Sequence, residues 1–308
     1  MMNFIKICRM NQAKLKEYLN KVLLKKYGKD NVVNQEGFLY AKGEGILLTA
    51  HMDTVHKTTC KTVAIEDKDG KRVITSPQGI GGDDRCGIWL ILKVLNETDY
   101  RPSILFCEDE EIGGIGSNLF TETPYIEDFN ELKFLVELDR ANENDAVFYD
   151  CGNKEFQDYI TNTFGLKTAY GSFSDISHLS PACDKASVNI SCGYYKAHTP
   201  EEYVVIEEME NTFEIVKKIL ADVPNAKEYD YQEERYFYNY NFGWNNNFGW
   251  SEQQTYMSEY TYYVASFYKG KIIEEEIPGC ISMEEAVGLF LKEHRDMCYN
   301  DIIEVYEL

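Results

Sequence analysis

At 308 residues, 44% of them hydrophobic, the chain can bury one large core or two modest ones. Its 52 acidic and 31 basic side chains leave a net charge of −21, which argues against nucleic acid and anionic membrane surfaces, because both need basic patches. The same charge disfavours strongly acidic substrates unless bound metal reverses the local field. No apolar stretch approaches the ~20 residues that span a bilayer. The N-terminus Met1-Met-Asn-Phe-Ile-Lys-Ile-Cys8 lacks the long apolar core and small-residue cleavage site of a signal peptide. Nine cysteines, irregularly spaced and without a Cys-x-x-Cys pair, read as reduced thiols and point to the cytoplasm.

In chain order, residues 11–27 predict a Lys-rich amphipathic helix ending near Gly28. Val32 to Val55 reads as strands around the turn Lys42-Gly-Glu-Gly45, including the apolar run Gly45–Ala50. Thr62 to Ser76 predicts a hairpin turning at Lys68-Asp-Gly-Lys71. Cys86 to Leu95 reads as an apolar helix opening directly out of Gly81-Gly-Asp-Asp-Arg85. Further apolar runs cover Pro102–Cys107, Leu132–Leu138 and Ala186–Cys192, with helices expected at about 154–164 and 206–221. Runs of this kind suit parallel strands covered on both faces. Strands alternating with helices imply an α/β fold: a mixed, mostly parallel sheet sandwiched between helices.

After Pro224 the composition changes. Residues 225–308 hold 16 acidic and 6 basic side chains, and residues 229–263 contain nine tyrosines. Within that stretch Asn-Phe-Gly-Trp occurs twice, at 241–244 and 247–250. From Tyr256 the pattern predicts a hairpin arm, then a helix over 282–294, with Ser282 as N-cap and Glu285 completing a capping box, and a last strand over Ile302–Tyr306. The expected division is a catalytic domain over 1–224 and, over 225–308, an acidic Tyr-rich segment with a small α+β appendage.

Five residues spread along the chain form a ligand set for divalent metal: His51, Asp83, Glu111, Asp139 and His198. They are expected at strand ends or in the turns beyond them, where ligands of open α/β sheets bind. In Ala50-His-Met-Asp-Thr-Val55, His51 offers an imidazole nitrogen, and Asp53, two residues on, can hydrogen-bond the other nitrogen. A buried structural histidine is the bland alternative. In Gly81-Gly-Asp-Asp-Arg-Cys-Gly87, the two aspartates serve as helix caps or supply a carboxylate that bridges two metals. In Glu108-Asp-Glu-Glu111, Glu111 can ligate while Glu110 stays free as a base. Asp139 closes a strand run, and His198 opens His-Thr-Pro200. His56, His178 and His294 have no comparable setting.

This ordered set resembles the superfamily of zinc exopeptidases with two co-catalytic metals, which includes bacterial aminopeptidases, peptidase T-like tripeptidases and glutamate carboxypeptidases. The matching residues are His51–Val55, Asp83–Arg85, Glu110–Glu111, Asp139 and His198–Pro200; Gly171-Ser-Phe-Ser-Asp-Ile-Ser177 also looks like the family's substrate-side loop. The resemblance covers residues 30–221 and not the tail. It implies two divalent ions, zinc first with cobalt or manganese as alternatives. Asp83 would bridge them, four residues before Gly87 as in the family, with Asp84 the alternative. His51 and Asp139 would complete one site, Glu111 and His198 the other. Glu110 would be the general base, Asp53 would orient His51, and the Asp83–Asp84 peptide would be cis.

One departure stands out. Only 59 positions separate Asp139 from His198 and 32 separate His51 from Asp83, so neither gap holds the lid or dimerisation domain that other members insert. The expected function is hydrolysis of small peptides or aminoacyl compounds at a free N-terminus. The alternatives are a deacylase of N-acyl compounds with the same metal chemistry, and a non-catalytic binding protein that uses the Tyr/Trp segment.

Overall fold

The computed structural model describes residues 2–233, 260–268, 271–280, 283–294, 297 and 302–307. The chain divides into two compact units, Met1–Glu233 and Glu234–Leu308. In the first unit, α1 (Met2–Cys8) precedes α2 (Gln12–Tyr27), whose first turn is closed by the Asn11 side chain accepting the Lys14 N–H at 3.0 Å. Leu15, Leu19 and Leu23, four residues apart, form the buried stripe of α2. β1 (Val32–Gln35) and β2 (Phe38–Ala41) pair antiparallel and lead into β3 (Leu47–His51). β4 (Ala64–Lys68) and β5 (Lys71–Thr75) form the expected hairpin. Asp69 and Gly70 both have positive φ, as a two-residue turn between twisted strands requires.

The chain continues through α3 (Gly82–Glu97), β6 (Ser103–Cys107), α4 (Ile115–Thr121) and β7 (Leu135–Arg140). Next come β8 (Asp145–Val147), α5 (Lys154–Phe164), β9 (Lys167–Thr168), α6 (Asp175–Cys183) and β10 (Ser187–Ser191). β11 (Tyr194–Tyr195), β12 (Tyr203–Val205) and α7 (Ile206–Asp222) complete the unit. The main sheet has eight strands in the order β1-β2-β6-β3-β7-β10-β8-β9. Its centre, β6-β3-β7-β10, is parallel throughout, with antiparallel pairs outside it at β1/β2, β2/β6 and β10/β8. Every residue of β3, β6 and β10 is buried, which is why these strands read as unbroken apolar runs.

Alternation along the strands sends side chains into two cores. Leu48, Ile104, Val136 and Val188 join the core that includes α2, α3, α5 and α7. Leu47, Leu105 and Leu135 pack on the other face with Phe120 of α4 and Ile176 and Leu179 of α6. The expected α/β sandwich is the observed fold. A second, four-stranded sheet, β11-β12-β5-β4, takes the hairpin away from the main sheet and pairs it with the segment that follows His198.

α3 is buried over nearly its whole length, and each fully buried Ile or Leu there stabilises the fold by about 1.5–3 kcal/mol. Its approach to β7 needs a glycine: a Cβ on Gly87 would meet the Leu138 carbonyl oxygen at 1.8 Å. The short helices α1, α4 and α6 were not anticipated. The first unit also runs on past 224. Tyr229 is buried against Phe156 and stacked on Tyr159, with ring centroids 5.2 and 5.3 Å apart, so residues 225–233 belong with the core.

In the second unit, β13 (Tyr260–Tyr268), β14 (Lys271–Cys280) and β15 (Ile302–Glu307) form an antiparallel sheet, ordered β14-β13-β15. α8 (Met283–Glu293) carries the buried Ala286, Val287 and Phe290. The repeats at 241–250 and the expected N-cap Ser282 lie outside the described residues.

Candidate metal centre

Parallel strands end at one edge, and that edge collects the polar residues. His51 is the last residue of β3 and Asp139 the fifth of β7. Glu110 and Glu111 open a single 3-10 turn, Glu110–Ile112, three residues after β6. The other two lie off the strands, Asp83 where the helix expected after Gly81–Arg85 opens and His198 in the turn beyond a strand. Asp83 sits in the first turn of α3 and reaches the edge because Gly87 lets that helix lie against β7. His198 lies beyond β11, with positive φ (63°) and a side chain 58% exposed, whereas His51 is fully buried.

All five expected ligands and Asp53 converge. His51 Nε2 lies 2.9 Å from Asp83 Oδ1 and 3.5 Å from Asp139 Oδ1. His198 Nε2 lies 3.2 Å from Asp83 Oδ2 and 2.9 Å from Glu111 Oε2. One carboxylate thus turns its two oxygens to two different imidazoles. Asp84 is occupied otherwise: Oδ2 accepts the His51 N–H at 3.2 Å and Oδ1 the Gly87 N–H at 2.9 Å. Even so, ligand atoms of His51, Asp84 and Asp139 fall within 4.8 Å of one another, as do those of His51, Asp83 and Glu111. Asp53 Oδ1 meets His51 Nδ1 and the Glu110 N–H, both at 3.1 Å, while Oδ2 accepts the Glu111 N–H at 3.1 Å. It therefore ties the end of β3 to the turn after β6. The Asp83–Asp84 peptide bond is cis.

Crowded carboxylates set the electrostatics. Burial and the neighbouring Asp83 push Asp139 up to about 7. Burial drives Glu110 well above the usual carboxylate range, with Asp139, Asp175 and Asp83 adding to it. Burial likewise raises Glu111, with Asp83 reinforcing the shift. Burial opposes the charge on Asp83, yet the hydrogen bonds to His198 and His51 hold its carboxyl far below its ordinary value. Hydrogen bonds to Asp83 and Glu111 push His198 up to about 11. Burial pulls the His51 imidazole down, but Asp139, Asp53 and Asp83 outweigh it and raise it well above its ordinary value.

This arrangement fits divalent cations. Glu111 Oε1 is buried without a hydrogen-bond partner, and the cluster gathers the carboxylates of Asp83, Glu111 and Asp139 onto two imidazoles. Imidazole and carboxylate oxygen together suit zinc, cobalt or manganese.

Asp139 is surrounded by Ser174, from the Gly171–Ser177 loop that the resemblance picks out, and by Asn189 and Tyr194, which sequence reasoning missed. Its N–H donates to Asn189 Oδ1 at 2.9 Å, Ser174 Oγ donates to its Oδ2 at 3.1 Å, and Tyr194 OH donates to its carbonyl at 3.1 Å. Asn189, a polar residue in the middle of a buried strand, was the available signal. Glu137 and Asp175 are also fully buried beside it, each with both carboxyl oxygens unpartnered. Of the remaining histidines, His178 contacts Ser117 Oγ at 3.1 Å, His294 contacts Glu275 at 2.9 Å, and His56 meets Glu202 at 2.6 Å.

No protein-family model and no curated protein matches the sequence. Solved structures share the fold. A tripeptidase from Staphylococcus aureus superposes with a TM-score of 0.56 at 16% identity, over 72% of this chain and 97% of that one. Aminopeptidase PepT from Bacillus cereus gives 0.55 at 16%, with the same coverage. A TET aminopeptidase from a marine-sediment Thaumarchaeota archaeon gives 0.53 at 12%, over 73% and 99%.

Proposed function

We propose that this chain is a metal-dependent hydrolase, an aminopeptidase acting on small peptides or aminoacyl compounds. The observation that carries the reading is Asp83, whose two oxygens face His51 at 2.9 Å and His198 at 3.2 Å. Two divalent ions, zinc first, would be held by His51, Asp83 and Asp139 and by Asp83, Glu111 and His198. When bound, they would acidify water and polarise a scissile carbonyl. Asp53 holds Nδ1 of His51, which fixes the tautomer that leaves Nε2 free as a donor of electrons. It also holds the backbone of Glu110 and thereby aims that side chain.

Glu110 is the general base. It takes a proton from the attacking water as the carbon–oxygen bond forms, and returns it to the departing amine as the carbon–nitrogen bond breaks. Carboxylates left over at the edge suit a substrate's ammonium group. Residues 140–197 run through β8, α5, β9, α6, β10 and β11 of the core, which supports a centre without a separate lid domain. No helix among the described residues is long and apolar enough to cross a membrane, and the seven cysteines from Cys8 to Cys192 are buried and unpaired, which supports a reducing compartment such as the cytoplasm.

The test is metal analysis followed by turnover of matched substrates. Two ions per chain and faster cleavage of unblocked than of N-acetylated aminoacyl substrates are expected. Faster turnover of N-acetyl amino acids would replace this reading with the deacylase. Absence of both metal and turnover would leave a binding protein.

A further inference from the structure

We infer that Glu202, supported by His56, is a positioning residue that sets the orientation of Asp83, and that it does so by joining the three chain segments that carry His51, Asp83 and His198. The inference rests on the reading that Asp83 lies between two ions.

The Glu202 side chain is fully buried. Its Oε2 accepts the Gly81 N–H at 2.7 Å and lies 2.6 Å from His56 Nε2. Its Oε1 accepts the Asp83 N–H at 3.0 Å. The Glu202 N–H donates to the Thr199 carbonyl at 3.2 Å, closing the turn that begins directly after His198. His56, five residues after His51, lies directly on the loop before Asp83: a Cβ on Gly79 would come within 2.4 Å of three atoms of its ring. One carboxylate therefore fastens residues 51–56, 79–83 and 198–202 together.

Asp83 needs such a fastening. Although it lies in the first turn of α3, its backbone is not helical (φ −79°, ψ 104°), nor is that of Asp84 (φ −116°, ψ 49°). The helix ladder therefore does not dictate where the Asp83 carboxylate points. A buried carboxylate demands donors in fixed places, and charge-assisted bonds to backbone N–H groups are the strong kind. Glu202 thus imposes on Gly81 and Asp83 the backbone direction that sends Oδ1 toward His51 and Oδ2 toward His198. It touches no ligand atom itself, so its effect on a bound ion passes through Asp83.

The experiment compares zinc affinity by equilibrium dialysis and the visible spectrum of the cobalt-loaded protein in wild type, Glu202→Gln, His56→Phe and Glu208→Gln. Glutamine keeps the size of Glu202 but presents an amide N–H₂ to one of the two backbone donors. Glu208 is a comparably buried carboxylate, bonded to Lys71 and Tyr195, and controls for general loss of stability. Glu202→Gln should bind its weaker ion at least tenfold less tightly and shift the cobalt spectrum. His56→Phe should move both readouts the same way by less, and Glu208→Gln should match wild type. If Glu202→Gln does not fold, His56→Phe decides. Wild-type zinc affinity and cobalt spectrum in the folded variants, or an equal loss in Glu208→Gln, would overturn the inference alone. A wild-type protein that takes up no zinc would overturn the metal reading, and this inference with it.

Discussion

The two halves of the candidate centre are built differently. His51, fully buried, and Asp139, half-buried, stand on neighbouring parallel strands and are bonded to Asp53, Asn189, Ser174 and Tyr194. Glu111 and His198 stand on a 3-10 turn and on an exposed loop residue with positive φ. The strand half is placed by the sheet and fixed by side chains of which Asn189, Ser174 and Tyr194 hold Asp139, while Asp53 is shared with the loop half. The loop half depends on what holds the loops, namely Asp53 for Glu111 and the turn closed by Glu202 for His198. A strand residue is displaced only with the core, whereas a loop residue moves when one hydrogen bond is lost. The two halves should therefore respond differently to perturbation.

The largest effect should come from a change that leaves both halves alone. Glu110→Gln is expected to keep the fold and the metals and to lower kcat by ~10²-fold or more, since a general base contributes about that much. Metal content and kcat measured on the same preparation check this; an active Glu110→Gln would remove Glu110 from the base role. Breaking the strand half comes next. His51→Ala removes the imidazole that Asp53, Asp83 and Asp139 share, and so takes one partner from each of three carboxylates. It should abolish tight metal binding and destabilise the metal-free protein by about 1–3 kcal/mol in denaturant unfolding.

Breaking the loop half should separate these two readouts. His198→Ala is expected to lose one ion while changing metal-free stability by less than about 0.5 kcal/mol, as for a surface substitution. Equal destabilisation by both alanine variants would erase the distinction between the halves.

A pH series on metal-free protein sharpens the comparison further. Asp139, with a folded pKa of about 7, binds a proton in the native state that the unfolded chain has released above ~3.9. Its contribution is fully present below the unfolded value and is lost as pH rises through about 7. His198 acts in the same direction, from its unfolded value of ~6.5 up to about 11, with less weight because it is more than half exposed and screened by water. Metal-free protein should therefore lose stability as pH rises from about 4 through about 7, the window of Asp139, and more gently beyond it toward about 11, the window of His198. Added zinc should reverse the trend, because its ligands must be deprotonated. Thermal unfolding with and without zinc across that range checks both slopes.

Much of this could be read from the chain. The runs ending at Ala50, Cys107, Leu138 and Cys192 cover most or all of the four central strands, because strands covered on both faces must be largely apolar. His51, Glu111 and Asp139 were legible because a polar residue at or just beyond such a run has few places to go other than the sheet's edge. The helices α4 and α6 were not: seven and nine residues give too short a period, and Pro181 inside α6 reads as a breaker. Nor did anything local mark Tyr229 as core, since its partners Phe156 and Tyr159 come from a helix some seventy residues earlier.

What the amino-acid order determined by itself was the inventory: two imidazoles and a set of carboxylates, each tied to a strand or helix end by local patterning. Only the tertiary structure decided their division of labour. Local chemistry does not separate Asp83 from Asp84, and only the resemblance, through the spacing to Gly87, favours Asp83. They separate because one turns its oxygens to His51 and His198 while the other spends its own on the backbone N–H groups of His51 and Gly87. The same holds for Glu202, whose partners Gly81, Asp83 and His56 lie 119 to 146 positions away. Such contacts have no local signature, because they arise where separate segments must satisfy one buried charge together.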